Sequence, residues 1–316
     1  MEALATISPE SLALIHSQCS DDYYSFNANN LGALSQEEIF ELIDVHTPYY
    51  ALQDVHLLKG NIVAARVAPE SPIGFERSPI TIAEACRHLA ILGSVACAMV
   101  NPTKSKHYYL AHKGTYKLIS NKGWAPSKVF TLLAECVSFE KRLASIKACL
   151  VDEENELICG IDVSYHVIAQ PMFNRLFAHA YKDYLPSLTS PYARKNKLHD
   201  LQLFDTRATA TLGEIQEHYC SGHFPNHPAL PVAVLMGVLH DLCIQFVHHA
   251  TRSKHAEIVV NECTLLADNL ALAGDTVFLE AQEEARTNKY FKLRGIAKTD
   301  AGKTVGDITT LIYIGN

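Results

Sequence analysis

Gly222-His-Phe-Pro-Asn-His-Pro228, with Pro231 close behind and an apolar run from Val232 to His249, is the stretch that decides how this chain folds. Prolines 225, 228 and 231 each fix a backbone angle and remove a donor, so the chain is held out of helix until about Val232. His223 therefore stands on a stiff bend that feeds a helix. Such a bend is a good mount for a reactive imidazole, because its geometry is set before a transition state forms. An imidazole also exchanges protons near neutral pH. On these residues alone, a structural histidine held in a turn is the simpler reading.

Outward from the bend, an order of elements emerges. Leu201 to Ile215 precedes it and is strand-like. After the helix come strand candidates at Ala256 to Leu266, Thr276 to Glu283, Lys289 to Lys298 and Thr304 to Ile314, with turns at Gly274-Asp275 and Asp300-Ala-Gly302. The first half has the same order. Ser35-Gln-Glu-Glu38 opens a short capped helix, and Asn61 to Val67 is a β-branched run. Pro69 to Pro79 is turn-rich, and Ile80 to Val100 has helical periodicity. Four strands follow at Tyr108 to Ile119, Val129 to Phe139, Ala144 to Asp152 and Leu157 to Val167, the last two joined as a hairpin by Asp152-Glu-Glu-Asn155. A repeat of about 150 residues indicates an internal duplication, not a short-period solenoid. Met172 to Asp200, with its tyrosines, prolines and scattered cations, reads as an ordered, solvated connector.

Within the first long helix, Glu84, Arg87 and His88 are spaced to share one face. An exposed Glu-Arg pair is one reading. The other is a carboxyl facing a cavity, where desolvation would raise its pKa and keep it protonated. A pairing of Arg87 with Glu84 would oppose that.

The bulk numbers narrow the classes. The 316 residues suffice for two packed domains, and 27 Lys plus Arg against 34 Asp plus Glu give a net charge of -7. That balance argues against nucleic acid as a partner, since a phosphate backbone calls for clustered cations. Membrane insertion is not expected, because the most apolar helix carries Glu84, Arg87 and His88. Nine cysteines without a CxxC pair indicate free thiols in a reducing compartment, and the opening residues lack a secretory signal, so a cytoplasmic location is expected. His218, His223 and His227 lack zinc spacing, and neither a Walker loop nor a dinucleotide fingerprint occurs, so no metal and no cofactor are expected.

The bend closely resembles a known signature. His223-Phe-Pro-Asn-His-Pro228 with Pro231 resembles the HFPGxPxxPG motif of hotdog-fold beta-hydroxyacyl-carrier-protein dehydratases, and Gly274 to Glu280 and Tyr290 to Lys298 resemble their later strands. Glu38 to Tyr49, Gly60 to Ala64, Ile82 to Ala90 and His107 to Gly114 resemble the same family's opening helix, first strand, central helix and next strand. The resemblance implies an α+β double hotdog, each half an antiparallel sheet wrapped around a long central helix. The implied domains are an extension over 1–34, a hotdog over 35–170, a connector over 171–200 and a second hotdog over 201–316.

The family places a catalytic histidine before the central helix and an acidic residue within it, contributed by opposite hotdog units. Here His223 matches the histidine, but the acidic position fourteen residues later is Gly237; Glu84 matches the acid, but its bend, Pro69 to Phe75, has no histidine. Each half retains what the other lacks, which implies one composite Glu84–His223 site and one vestigial site. The implied reaction is dehydration of a (3R)-hydroxyacyl thioester in fatty-acid-like or polyketide-like biosynthesis. His223 would act as base and Glu84 as acid, with Val232, His88 and Arg87 positioning the substrate or its oxyanion. The implied partner is an acyl carrier protein or a coenzyme A thioester. A hotdog thioester hydrolase in which Glu84 activates water, and a non-catalytic acyl-binding or assembly subunit, are the alternatives. A monomeric pseudo-dimer and a homodimer both fit.

Overall fold

The computed structural model describes residues 32–58, 61–120, 128–184, 187, 189–254 and 256–315. Most of the expected 1–34 extension, together with Cys19, Gly60 and Pro186, lies outside the described residues. Two compact units divide the chain. The first takes the described residues up to Asp44, then Ala51–Pro69 and His88–Met172. The second takes Val45–Tyr50, Glu70–Arg87 and everything from Phe173 onward. The connector over 171–200 therefore belongs almost wholly to the second unit.

The first unit begins with β1 (Gly32–Ala33) and α1 (Gln36–Ile43). The expected capping box is present: Glu38 N–H donates to Ser35 Oγ at 3.2 Å and Ser35 N–H donates to Glu38 Oε2 at 2.8 Å. Ile39 and Ile43, four apart, bury the helix's inner face, and Asp44 ends it in the left-handed conformation. Strands β2 (Gln53–Leu58) and β3 (Ile62–Val67) follow. After helix α2 (Ile82–Val100) come β4 (His107–Leu118), β5 (Phe130–Phe139), β6 (Leu143–Val151) and β7 (Leu157–Ala169). These strands are antiparallel in the order β1-β2-β3-β5-β6-β7-β4. The β6–β7 hairpin turns where the acidic cluster predicts, with Asn155 at φ 63°. From His88 onward, α2 belongs to this unit and is anchored to the sheet by Tyr165, whose hydroxyl donates to Ala90 O at 2.8 Å.

The second unit holds the short helix α3 (Gln170–Leu176) from Phe173 onward, then β8 (His199–Leu203) and β9 (Arg207–Glu214). The stretch from Leu201 to Ile215, read as one strand, is in fact two, because Asp205 and Thr206 turn the chain back. Helix α4 (Val232–Thr251) follows Pro231, and β10 (Ile258–Leu266), β11 (Thr276–Arg286), β12 (Tyr290–Thr299) and β13 (Thr304–Ile314) complete the unit. Leu235, Leu239, Leu242 and Phe246 lie within about one face of α4 and are buried as it packs on β9, β11, β12 and β13. The strand order here is β8-β9-β11-β12-β13-β10, again antiparallel.

Strand for strand, that order equals β2-β3-β5-β6-β7-β4 of the first unit. The duplication inferred from sequence is thus repeated in the topology. Helices α2 and α4 have the length and apolarity to cross a membrane, but most of each is buried within the protein.

Candidate active site

The proline-fixed bend is further tied by contacts within the second unit. Gly222 has φ +83°, and its carbonyl accepts His46 N–H at 2.9 Å; a Cβ there would lie 2.2 Å from His46 O. Glycine is therefore required at this position, and the residues after it are held against the 45–50 segment. His223 Nδ1 lies 3.0 Å from Ala229 O. Because a carbonyl can only accept, Nδ1 carries the proton and Nε2 is the acceptor nitrogen. Burial, opposed by that hydrogen bond, pulls the imidazole down to about 4. Its ring packs against Tyr49 with centroids 5.0 Å apart.

Glu84 stands in the first turn of α2 and is 3% exposed. Its two carboxyl oxygens accept backbone N–H groups of the preceding bend, Glu70 at 2.6 Å and Ser71 at 3.1 Å. The same turn is capped by Thr81, whose Oγ1 accepts Glu84 N–H at 3.2 Å, and by Glu76, whose Oε2 accepts Ile82 N–H at 2.9 Å. Arg87 hydrogen-bonds Glu70 and the carbonyls of Pro48 and Tyr49, and its guanidinium lies over the rings of Tyr49 and Tyr192 at 4.9 and 4.5 Å. Glu70 thus supplies an ion-pair partner for Arg87.

Glu84 and Arg87 line a cavity of about 80 Å³ within the second unit, joined there by Glu76, Lys195 and Asp241. Lys195 Nζ lies 2.6 Å from Asp241 Oδ1. Burial pushes Glu76 up to about 7, with the Ile82 N–H and Lys195 opposing and Asp241 reinforcing. Burial also raises Asp241 against the pull of Lys195. The cavity therefore combines three carboxyl groups with Arg87, Arg194 and Lys195.

Neither His223 nor Val232 is among the residues lining this cavity. His223 reaches it indirectly, because Tyr49 touches the imidazole on one side and Tyr192, 5.1 Å away, on the other. Val232 is the first residue of α4, and the next two residues of that helix, Ala233 and Val234, do line the cavity. His88 is fully buried in the first unit. At Gly237, where the family would carry an acid, a Cβ would meet the Cβ of Ala83 at 2.9 Å, so helix contact fills the space.

Glu76 and Lys195 escaped the sequence reading. Glu76 sits in an irregular bend without periodicity, and Lys195 sits in the connector that reads as solvated. A cap ahead of Ile82 was the one available signal for Glu76.

Neither a family model nor a curated protein sequence matches the chain. Solved structures do. A hotdog-fold protein from Alicyclobacillus acidocaldarius aligns with TM-score 0.51 at 12% identity, covering 84% of this chain and 96% of its own. The TesB protein of Mycobacterium avium subsp. paratuberculosis aligns with TM-score 0.54 at 10% identity, over 84% and 96%. The chain is a double hotdog. A 12:0-ACP thioesterase from Umbellularia californica aligns with TM-score 0.54 at 9% identity, over 82% and 96%.

These neighbours overturn the hydro-lyase expectation for this double hotdog, since the one of them named for an activity is a thioesterase, which is a hydrolase. The geometry supplies a physical reason. A dehydratase needs Glu84 and His223 at one substrate, yet the proposed base His223 does not line the cavity that Glu84 lines.

Proposed function

We propose that the double hotdog hydrolyses an acyl thioester, carried on coenzyme A or an acyl carrier protein, at the cavity lined by Glu76, Glu84 and Asp241. The observation that carries this reading is the pairing of two carboxyl groups in one small cavity. Glu84 is set as an acceptor by the bend, and Glu76 is held near 7 by burial.

In this scheme Glu84 orients a water molecule. Ionised Glu76 takes its proton as the water oxygen attacks the thioester carbonyl. A base whose pKa lies near the working pH suits that transfer. The tetrahedral oxyanion is met by the first-turn N–H groups of α4, which no side chain caps. When the C–S bond breaks, Glu76 returns the proton to the leaving sulfur, giving a free acid and a free thiol. His223 keeps a positioning role, holding Tyr49 against the Arg87 stack.

The wall of the cavity, Ala83, Val234 and Val238, leaves room for the reacting carbonyl and a water but little more, because small-molecule sites commonly span about 300–1,000 Å³. Short acyl groups are therefore the expected substrates. The test is incubation with acetyl to dodecanoyl thioesters on coenzyme A and on a carrier, reading free thiol and product mass. Free acid and thiol from short-chain substrates are expected; intact thioester throughout, or loss of water without free acid, would overturn the reading.

A further inference from the structure

A second concavity in the same unit has a different chemistry. It is a groove of about 1,000 Å³ beside the C-terminal end of α4, lined by Phe75, Asp205, His249, Arg252, Lys254 and Arg286 among others. Three full cations face one carboxylate in a chain whose net charge is -7. The local field is thus opposite in sign to that of the whole molecule. Arg252 and Lys254 follow the last turn of α4, where cations ordinarily answer the helix dipole. Arg286 comes from the end of β11, some distance along the chain, and the dipole does not account for it. Its Glu283 partner is 3.4 Å away, and the arginine side chain remains 48% exposed.

The groove also carries an aromatic surface. Phe75 is 41% exposed, and its ring is held edge-on by His248, with centroids 4.6 Å apart. The Phe75 backbone is fixed by Ile258 N–H, which donates to Phe75 O at 2.9 Å. Cations beside a partly exposed aromatic ring form a site for a phosphorylated heteroaromatic group.

The groove adjoins the cavity through two shared elements. Phe75 lines the groove and its neighbour Glu76 lines the cavity; on α4, Asp241 lines the cavity and Gln245, about one turn later, lines the groove. A ligand with an anionic aromatic end and a thioester end can therefore occupy both.

We infer that this groove binds the phosphorylated adenosine of a coenzyme A thioester, with the cationic groups of Arg252, Lys254 and Arg286 on the phosphates and Phe75 against the adenine. The inference rests on the hydrolase reading for the identity of the thioester and commits to coenzyme A over a carrier protein. The partly exposed Phe75 ring beside the cations favours a nucleotide, whose base can lie against it, over a carrier protein.

Two measurements test it. In calorimetry, adenosine 3′,5′-bisphosphate is expected to bind the full chain, more weakly as salt is raised. The Arg252→Glu/Lys254→Glu chain should bind it about tenfold more weakly or worse, having lost two charge-assisted contacts. In kinetics, the same pair of substitutions should raise KM for an acyl-coenzyme A by a similar factor. Turnover of the same acyl group on N-acetylcysteamine, which has no phosphate, should be unchanged. Failure of wild-type chain to bind the bisphosphate, equal binding of inorganic phosphate, equal losses on both thioesters, or hydrolysis confined to carrier-bound substrate would each overturn the inference. If no thioester is hydrolysed but the bisphosphate binds and the reversal abolishes binding, the hydrolase reading fails and the nucleotide site stands.

Discussion

At the scale of single residues, Glu84 and Glu76 are distinguished by what surrounds them. Glu84 is fixed by two N–H donors from the Glu70–Ser71 bend, so Glu84→Gln places an amide nitrogen against at least one donor and loses the acceptor that orients water. Thioester hydrolysis should fall about a hundredfold or more, as misplacing a positioned reactant does, with the folded circular dichroism spectrum retained. Glu76 differs because burial holds it at about 7. Since it must be ionised to accept a proton, kcat/KM should rise tenfold per pH unit below about 7 and level off above it. Glu76→Gln keeps an acceptor for Ile82 N–H but should remove that pH dependence along with most of the rate. A pH–rate profile of the two variants separates the roles, and an unchanged limb in Glu76→Gln would assign the titration elsewhere. His223, lowered to about 4, is neutral across this range and leaves the profile to Glu76.

At the scale of elements, α2 and α4 approach so closely at Ala83 and Gly237 that side-chain volume decides stability. Gly to Ala in a helix interior ordinarily gains about 1 kcal/mol. Here the added methyl would stand 2.9 Å from Ala83 Cβ, and Gly237→Ala is expected to destabilise by about 1–3 kcal/mol through overpacking. Ala83→Gly in the same chain should recover most of it, a coupling that urea unfolding of the four-member cycle would measure. How well such elements could be read in advance varied with the range of the forces that make them. The Ser35–Glu38 capping box, the Asp152–Asn155 hairpin and both long helices are local patterns, and they were legible. Strand β2 was not: three of its residues are polar, its burial does not alternate, and Asp54 adopts φ 49°. The site was legible only as far as periodicity reached. Glu84 and Arg87 share a helical face, but Lys195 meets Asp241 across 46 positions of sequence, and no window of local pattern contains such a contact. The motif at His223 identified the fold correctly while implying a reaction that its neighbours' names do not support, because the bend positions a helix whatever chemistry follows.

At the scale of the whole molecule, the same buried groups make folding stability depend on pH in opposing ways. His223 and His240 are both lowered by burial to about 4 from an ordinary 6.5, so between those values the unfolded chain binds more protons than the folded one. Their contribution is fully present above about 6.5 and is lost as pH falls towards 4. Glu76, raised to about 7 from 4.5, binds more protons when folded, and its contribution is lost as pH rises through that window. Each group changes stability by at most about 1.4 kcal/mol per pH unit. Of these three groups, two histidines oppose one glutamate between about 4.5 and 6.5, so together they raise stability with pH, while Asp241 and Asp162, also raised by burial, oppose that rise at its acid end; between about 6.5 and 7 only the glutamate of the three still titrates and the curve should turn over. Removing Glu76 as Gln takes away the opposing term. The rise should then be steeper and the turnover absent, with stability above pH 7 greater than wild type by on the order of 1–3 kcal/mol. His240→Asn should instead flatten the acid side, after whatever pH-independent loss follows from its hydrogen bond to Met236 O at 2.9 Å. Urea midpoints measured from pH 4.5 to 8 for the three chains distinguish these outcomes. Parallel curves for wild type and Glu76→Gln would mean that the glutamate is not the buried proton holder, and the base assigned to the cavity would fall with it.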